Sequence, residues 1–188
     1  MLTVGYHTFD VERAETLETA GRRYRFLSAE ELLWALSLSP DDTVADLGSG
    51  TGFFTDDVAP HADHVYAVDV QAEMHEYYRE KGVPETVDLV TSNVSDLPLE
   101  DGAVDAAFST MTYHEFASDE ALAEIRRVLR SGGRLVVDWT ATGTGADGPP
   151  LEERYSADEA AAALRTAGFD VEHEAVRPET FLLIARLE

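Results

Sequence analysis

Short apolar runs of strand length alternate along the chain with longer stretches that carry helix start and stop signals. Ser28-Ala29-Glu30-Glu31 reads as a capping box leading into Leu32, Leu33 and Leu36, and Pro40-Asp41-Asp42 turns the chain. A short buried strand follows over 43–47, then a glycine-rich bend over 48–52 and a helix over 53–59 that Pro60 stops. A second strand over 64–70 carries Val65, Ala67 and Val68, and a helix over 71–81 ends at Gly82. Strands are expected over 86–91 and 104–109. Ser118 caps a helix over 119–130 with acids at its start and arginines at its end, the arrangement the helix dipole favours, and Gly132-Gly133 terminates it. A fifth strand is expected over 134–139. The stretch 141–150, rich in Gly, Thr and Pro, reads as an exposed connection. Ser156-Ala157-Asp158-Glu159 is a second capping box, whose helix runs to Ala167 and stops at Gly168. The runs 171–176 and 180–187 have no helix between them and read as an antiparallel hairpin. Before all of this, 11–20 is a helical candidate outside the alternation.

Strand–helix alternation predicts an α/β fold, a mostly parallel sheet of seven strands with helices on both faces and a C-terminal antiparallel hairpin. Ligands of such sheets bind beyond the carboxyl ends of the strands. A length of 188 residues suits one domain, with 1–27 as a helical extension or cover and 28–188 as the core.

Composition narrows the class. No apolar run approaches the roughly 18 residues of a membrane span. The N-terminus lacks a basic segment followed by an apolar one, so it does not read as a signal peptide, and a cytoplasmic location is the expectation. Cysteine is absent, which excludes disulfides, thiolate metal sites and cysteine nucleophiles. Acids outnumber bases 37 to 14, for a formal net charge of −23, and Lys81 is the only lysine. Because the acids are spread along the chain, adaptation to high salt (a halophilic protein) explains them better than a basic partner does. The acidity also makes nucleic acid an unlikely partner.

Gly48-Ser49-Gly50-Thr51-Gly52 lies between a strand and a helix, where glycines allow a tight turn and let a ligand lie on the backbone. Asp69 ends the second strand, where an acid can accept from two ribose hydroxyls. Together they indicate an adenosine ligand. The spacing is not the dinucleotide G-x-G-x-x-G, since Phe53 stands where its third glycine would be, and no Gly-Lys-Ser/Thr ending makes a P-loop.

The segment Val44-Ala45-Asp46-Leu47-Gly48-Ser49-Gly50-Thr51-Gly52 resembles the first motif of class I S-adenosylmethionine-dependent methyltransferases. The resemblance continues through His64-Val65-Tyr66-Ala67-Val68-Asp69-Val70, then Asn93-Val94-Ser95-Asp96-Leu97-Pro98-Leu99, and Glu124-Ile125-Arg126-Arg127-Val128-Leu129-Arg130-Ser131-Gly132-Gly133. Gly148-Pro149-Pro150, Glu153-Arg154-Tyr155-Ser156 and Ala167-Gly168-Phe169 resemble a subgroup of small type-11 methyltransferase domains. The resemblance implies a Rossmann-like three-layer sandwich, with S-adenosylmethionine as cofactor and S-adenosylhomocysteine as product. It places the backbone of Gly48 and Gly50 along the methionine part, counts Ser49 and Gly52 in the same cofactor loop, and puts Asp46 and Ser109 near the amino group and Asp69 on the ribose. Val70 and Met74 would flank the adenine, which the Val94 backbone N–H would also meet. Asn93 stands where the family usually has an aspartate, so an uncharged oxygen would accept from the adenine amino group.

Methyl transfer needs in-line positioning, and a base only when the acceptor must lose a proton. Tyr113, His114 and Glu115 follow the fourth strand: His114 is the candidate base, with Glu115 or Tyr113 orienting it or touching the acceptor. No clustered ligand set suggests a metal. A small-molecule acceptor is expected, since no Asn-Pro-Pro-Tyr-like tetrad follows the fourth strand and the core carries no large insertion. An RNA or protein methyltransferase and a non-catalytic adenosylmethionine-binding regulatory module are the alternatives. The segment 7–26 is expected to pack over the cofactor, with Phe9, Tyr24 and Phe26 as apolar walls.

Overall fold

A computed structural model describes residues 8–139 and 148–188. The first described elements are a 3-10 segment, Val11–Glu18, and a single turn α1 (Ala20–Arg23). The sequence pattern predicts one helix over 11–20, but Thr19 is extended and breaks it in two. Then follow α2 (Ala29–Leu36), β1 (Thr43–Leu47), α3 (Phe53–Val58), β2 (His64–Asp69), α4 (Ala72–Lys81), β3 (Val87–Thr91) and β4 (Val104–Thr110). After them come the short α5 (Tyr113–Phe116), α6 (Asp119–Val128), β5 (Leu129–Trp139), α7 (Ala157–Thr166), β6 (Phe169–Val176) and β7 (Phe181–Leu187).

The seven strands form one sheet in the order β3-β2-β1-β4-β5-β7-β6. The first five run parallel, and β7 lies antiparallel between β5 and β6, as the missing helix before it predicts. Order reverses at β1, which lies between β2 and β4, so the switch point falls at the glycine-rich loop. Each sheet face carries its own core. Leu32, Leu36, Phe54, Val58 and Tyr78 cover one face; Leu122, Ile125, Val128 and Leu164 cover the other. Side chains of a strand alternate between faces, so in β1 Val44 joins the first core while Ala45 and Leu47 join the second.

Two local expectations are corrected. The helix expected over 119–130 ends at Val128, because Leu129 is already extended and pairs with Val104. Gly132-Gly133 therefore lies inside β5, where the β4–β5 register shifts between Val104 and Ala106. A Cβ on Gly133 would sit 2.7 Å from the Arg130 carbonyl oxygen. At Ser28 one arm of the capping box forms, Oγ accepting from the Glu31 N–H at 3.1 Å, while the Glu31 carboxylate accepts from Arg177 at 2.8 Å instead. The box at Ser156 is complete: Ser156 N–H donates to Glu159 at 2.9 Å and Glu159 N–H to Ser156 Oγ at 3.2 Å. Most of the expected connection over 141–150 lies outside the described residues. Among those described, no helix is long and apolar enough to cross a membrane.

Candidate active site

A cavity of about 370 Å³ opens at the carboxyl ends of β1, β2 and β4, where the switch point predicts a ligand. Its floor is the loop after β1. Gly48 and Ser49 donate their N–H groups to the Val68 carbonyl at 2.9 and 2.8 Å, which ties the loop to β2. Gly50 N–H donates to Asp69 Oδ2 at 2.8 Å, and Gln71 N–H donates to Asp69 Oδ1 at 2.8 Å. Two backbone donors thus fix the Asp69 carboxylate at the cavity wall while each oxygen keeps a lone pair.

Two of the glycines answer to packing as much as to a ligand. At φ +82°, a Cβ on Gly48 would lie 2.4 Å from the Thr112 methyl. At φ +80°, one on Gly52 would lie 2.1 Å from the Tyr78 ring. Gly48, Ser49, Gly50 and Thr51 line the cavity; Gly52 does not.

Asp46 is buried behind this loop, on the α3 side of β1. Its Oδ2 accepts from Thr55 Oγ1 at 2.6 Å, and its Oδ1 has no donor among the described residues. Burial pushes its carboxyl up to about 7; the Thr55 hydroxyl and the Arg23 guanidinium oppose the rise, and Asp69 adds to it. An acid held near its titration point with one oxygen unmet suits a cationic ligand group.

The other expected residues separate. Met74 lines the cavity, while Val70 is 49% exposed and outside it. Asn93 Oδ1 accepts from the Ser95 N–H and from Ser95 Oγ, both at 3.0 Å, a side-chain-closed turn that occupies the oxygen expected for adenine. Val94 is buried in the core, and Ser109 is buried outside the cavity lining without a partner for its hydroxyl among the described residues. Tyr113 points into the core against Phe116 and Tyr155, and burial pushes its phenol up to about 12. Tyr113 is therefore not at the cavity wall, because α5 turns its first residue inward and leaves the next two facing the opening.

Those two are His114 and Glu115. The His114 ring stacks on Trp139 with centroids 4.6 Å apart and 6° between planes, and its Nε2 is 3.9 Å from Glu115 Oε1. Burial, with Asp69 second, pushes the Glu115 carboxyl up to about 8. At neutral pH this acid is mostly protonated and can donate.

The N-terminal segment closes the cavity. Phe9 and Phe26 line it, as the sequence predicts, but Tyr24 turns away to donate to Asp57 at 2.9 Å; His7 lies outside the described residues. Glu18 accepts from Thr51 in the glycine loop and from Lys81 at 3.2 Å, and the Phe9 carbonyl accepts from Gln71 at 3.0 Å. Arg23 and Trp139 also line the cavity and were not anticipated. For Arg23 the available signal was an arginine in a segment otherwise read as a cover. Among the described residues, no group of three or more acids and histidines could hold a metal ion.

The chain matches the Methyltransferase domain family over residues 45–137. Its backbone superposes on the crystal structure of a SAM-dependent methyltransferase from Aquifex aeolicus with a TM-score of 0.87 and 30% identity, covering 96% of this chain and 100% of that one. The chain belongs to the S-adenosylmethionine-dependent methyltransferases. An uncharacterized methyltransferase of Schizosaccharomyces pombe is 35% identical to this member of the family over 133 residues, 70% of the chain and 52% of that protein. The chain thus spans about half of that curated relative's length. The [4+2]-cyclase SpnF shares the fold alone, with a TM-score of 0.74 at 22% identity, covering 85% of this chain and 79% of that one.

Proposed function

We propose that the chain transfers the methyl group of S-adenosylmethionine to a small-molecule acceptor in the cavity between the glycine loop and the N-terminal segment. The observation that carries this reading is the Asp69 carboxylate, held by two backbone N–H groups beside Gly48–Thr51, with the unmet oxygen of Asp46 behind them. Asp69 would accept from the ribose hydroxyls, the loop would follow the methionine chain, and Asp46 Oδ1 would take its ammonium group. The cofactor supplies a methyl group already activated by the sulfonium. What remains for the protein is to align an acceptor, keep water out and, where the acceptor is an acid, remove its proton. His114 stands at the cavity wall for the last task, its ring plane set by Trp139 and its Nε2 facing Glu115. Phe9, Phe26 and the two-proline segment at 149–150 narrow the opening, which favours a small acceptor over a folded macromolecule.

The fold does not by itself prove transfer, since a cyclase shares it. Titration calorimetry should detect adenosylmethionine and adenosylhomocysteine and no NAD. A metabolite extract supplied with methyl-labelled donor should then yield a labelled small molecule. Label confined to RNA or protein would refute the small-molecule reading, and binding without turnover on any fraction would leave a regulatory module in its place.

A further inference from the structure

Arg23 is the conspicuous cation of the cavity. Its guanidinium carbon lies 5.1 Å from the Phe54 ring centroid and 5.7 Å from that of Phe53. Its Nε is buried with no hydrogen-bond acceptor among the described residues. Burial lowers its pKa to about 10, although Asp46, Glu18 and Asp138 all pull it upward. In so acidic a chain an arginine ordinarily finds a carboxylate: Arg25, Arg127, Arg130 and Arg177 are each ion-paired. Arg23 feels three carboxylates and pairs with none of them. Its position is not accidental slack, because the segment that carries it is anchored on both sides, by Glu18 to Thr51 and Lys81 and by Tyr24 to Asp57.

Arg23 lines the cavity beside the glycine loop with a buried donor unmet, and behind that loop Asp46 has a buried acceptor unmet. They are coupled electrostatically, yet no hydrogen bond joins them. A ligand with a carboxylate and an ammonium on one carbon would satisfy both.

We propose that Arg23 binds the α-carboxylate of the cofactor's methionine part, so that Arg23 and Asp46 together read its zwitterionic end. The assignment rests on the cofactor reading above. It also gives the N-terminal segment a direct hold on the cofactor: the element that walls the acceptor space is fastened by the ligand that must be in place first.

Calorimetry on the full chain separates the possibilities through three ligands: adenosylhomocysteine; its decarboxylated analogue S-adenosyl-3-thiopropylamine, which keeps the ammonium; and methylthioadenosine, which has neither charge. A charge-assisted hydrogen bond of ordinary strength predicts that the wild type binds adenosylhomocysteine about 10- to 100-fold more tightly than the decarboxylated analogue. In Arg23→Met, which can keep contact with Phe53 and Phe54, that preference should vanish while the decarboxylated analogue binds as before or better. Arg23→Lys should retain part of it. Asp46→Asn should instead erase the preference for the decarboxylated analogue over methylthioadenosine. The comparison is a ratio within each variant, so a partly unfolded sample does not imitate the result. A preference that survives in Arg23→Met overturns the assignment, as does equal weakening of all three ligands, which would mark a purely structural role. A wild type that binds none of the three defeats the cofactor reading itself.

Discussion

Asp69 does two jobs with one carboxylate: it accepts from the Gly50 and Gln71 N–H groups, and it faces the cavity. Asp69→Ala should lower adenosylhomocysteine affinity at least tenfold to a hundredfold, the usual worth of hydrogen bonds to a charged acceptor of about 1.5–3 kcal/mol. An unchanged dissociation constant would remove Asp69 from the site. His114 differs, because the role proposed for it lies in the transition state. If it removes the acceptor's proton, His114→Ala should cut turnover by about a hundredfold to ten-thousandfold and leave cofactor affinity alone. A raised Michaelis constant with an intact maximal rate would make it a binding residue. Full activity in the variant would leave positioning as the whole mechanism. Asp69, His114 and Glu115, read from the residues, and Met74, implied by the family resemblance, all line the cavity. Residue identity could not show that the Asn93 side-chain oxygen is taken by Ser95, or that Tyr113 faces inward, since both depend on the direction of a side chain in a turn and in a four-residue helix.

At the scale of elements, the N-terminal segment is the one whose purpose the alternation could not supply. It contributes no strand, yet it holds the glycine loop through Glu18 and walls the cavity through Phe9 and Phe26. A chain beginning at Ser28 should keep the sheet, bind cofactor more weakly by the share owed to Arg23, and lose methyl transfer even at saturating cofactor, because water is no longer excluded. Full transfer at saturation would reduce the segment to a shield for the sheet. The core elements were legible because caps and breakers announce them: Ser118 and Ser156 both accept from the backbone three residues on. The end of α6 was not, because strand pairing at Leu129 overrides a sequence that could have continued as helix.

For the whole molecule the dominant fact is charge. At −23 the folded state repels itself, and the Debye length shrinks from about 10 Å at 0.1 M salt to about 3 Å at 1 M. We propose that the acidity is an adaptation to high salt, and melting temperature should then climb as salt goes from 0.1 M into the molar range; a flat or falling trend would refute this. Stability should also depend on pH. Asp46 and Glu115 are raised by burial to about 7 and 8. Each keeps its proton in the folded state over a range where the unfolded chain has lost it. Their contribution is therefore complete below the unfolded values near 4 and is lost as pH rises through about 7–8. His75, whose imidazole burial holds below its usual range, opposes this on the acid side. At fixed low salt the ligand-free protein should melt higher at pH 5.5 than at pH 8.5, and the reverse order would show that these carboxyls are not buried as described.

The order of elements, the parallel sheet, the antiparallel hairpin and the glycine-rich loop after β1 were determined by the sequence alone, because they rest on periodicity, caps and glycine positions that act over a few residues. Only the tertiary structure decided which side chains share the cavity. Arg23, Thr51, Asp69, His114 and Trp139 come from five separate stretches of chain, and they meet because β1 lies between β2 and β4 while the N-terminal segment folds back over its end. The unmet atoms of Arg23 and Asp46 exist only in that arrangement, where burial strips them of water.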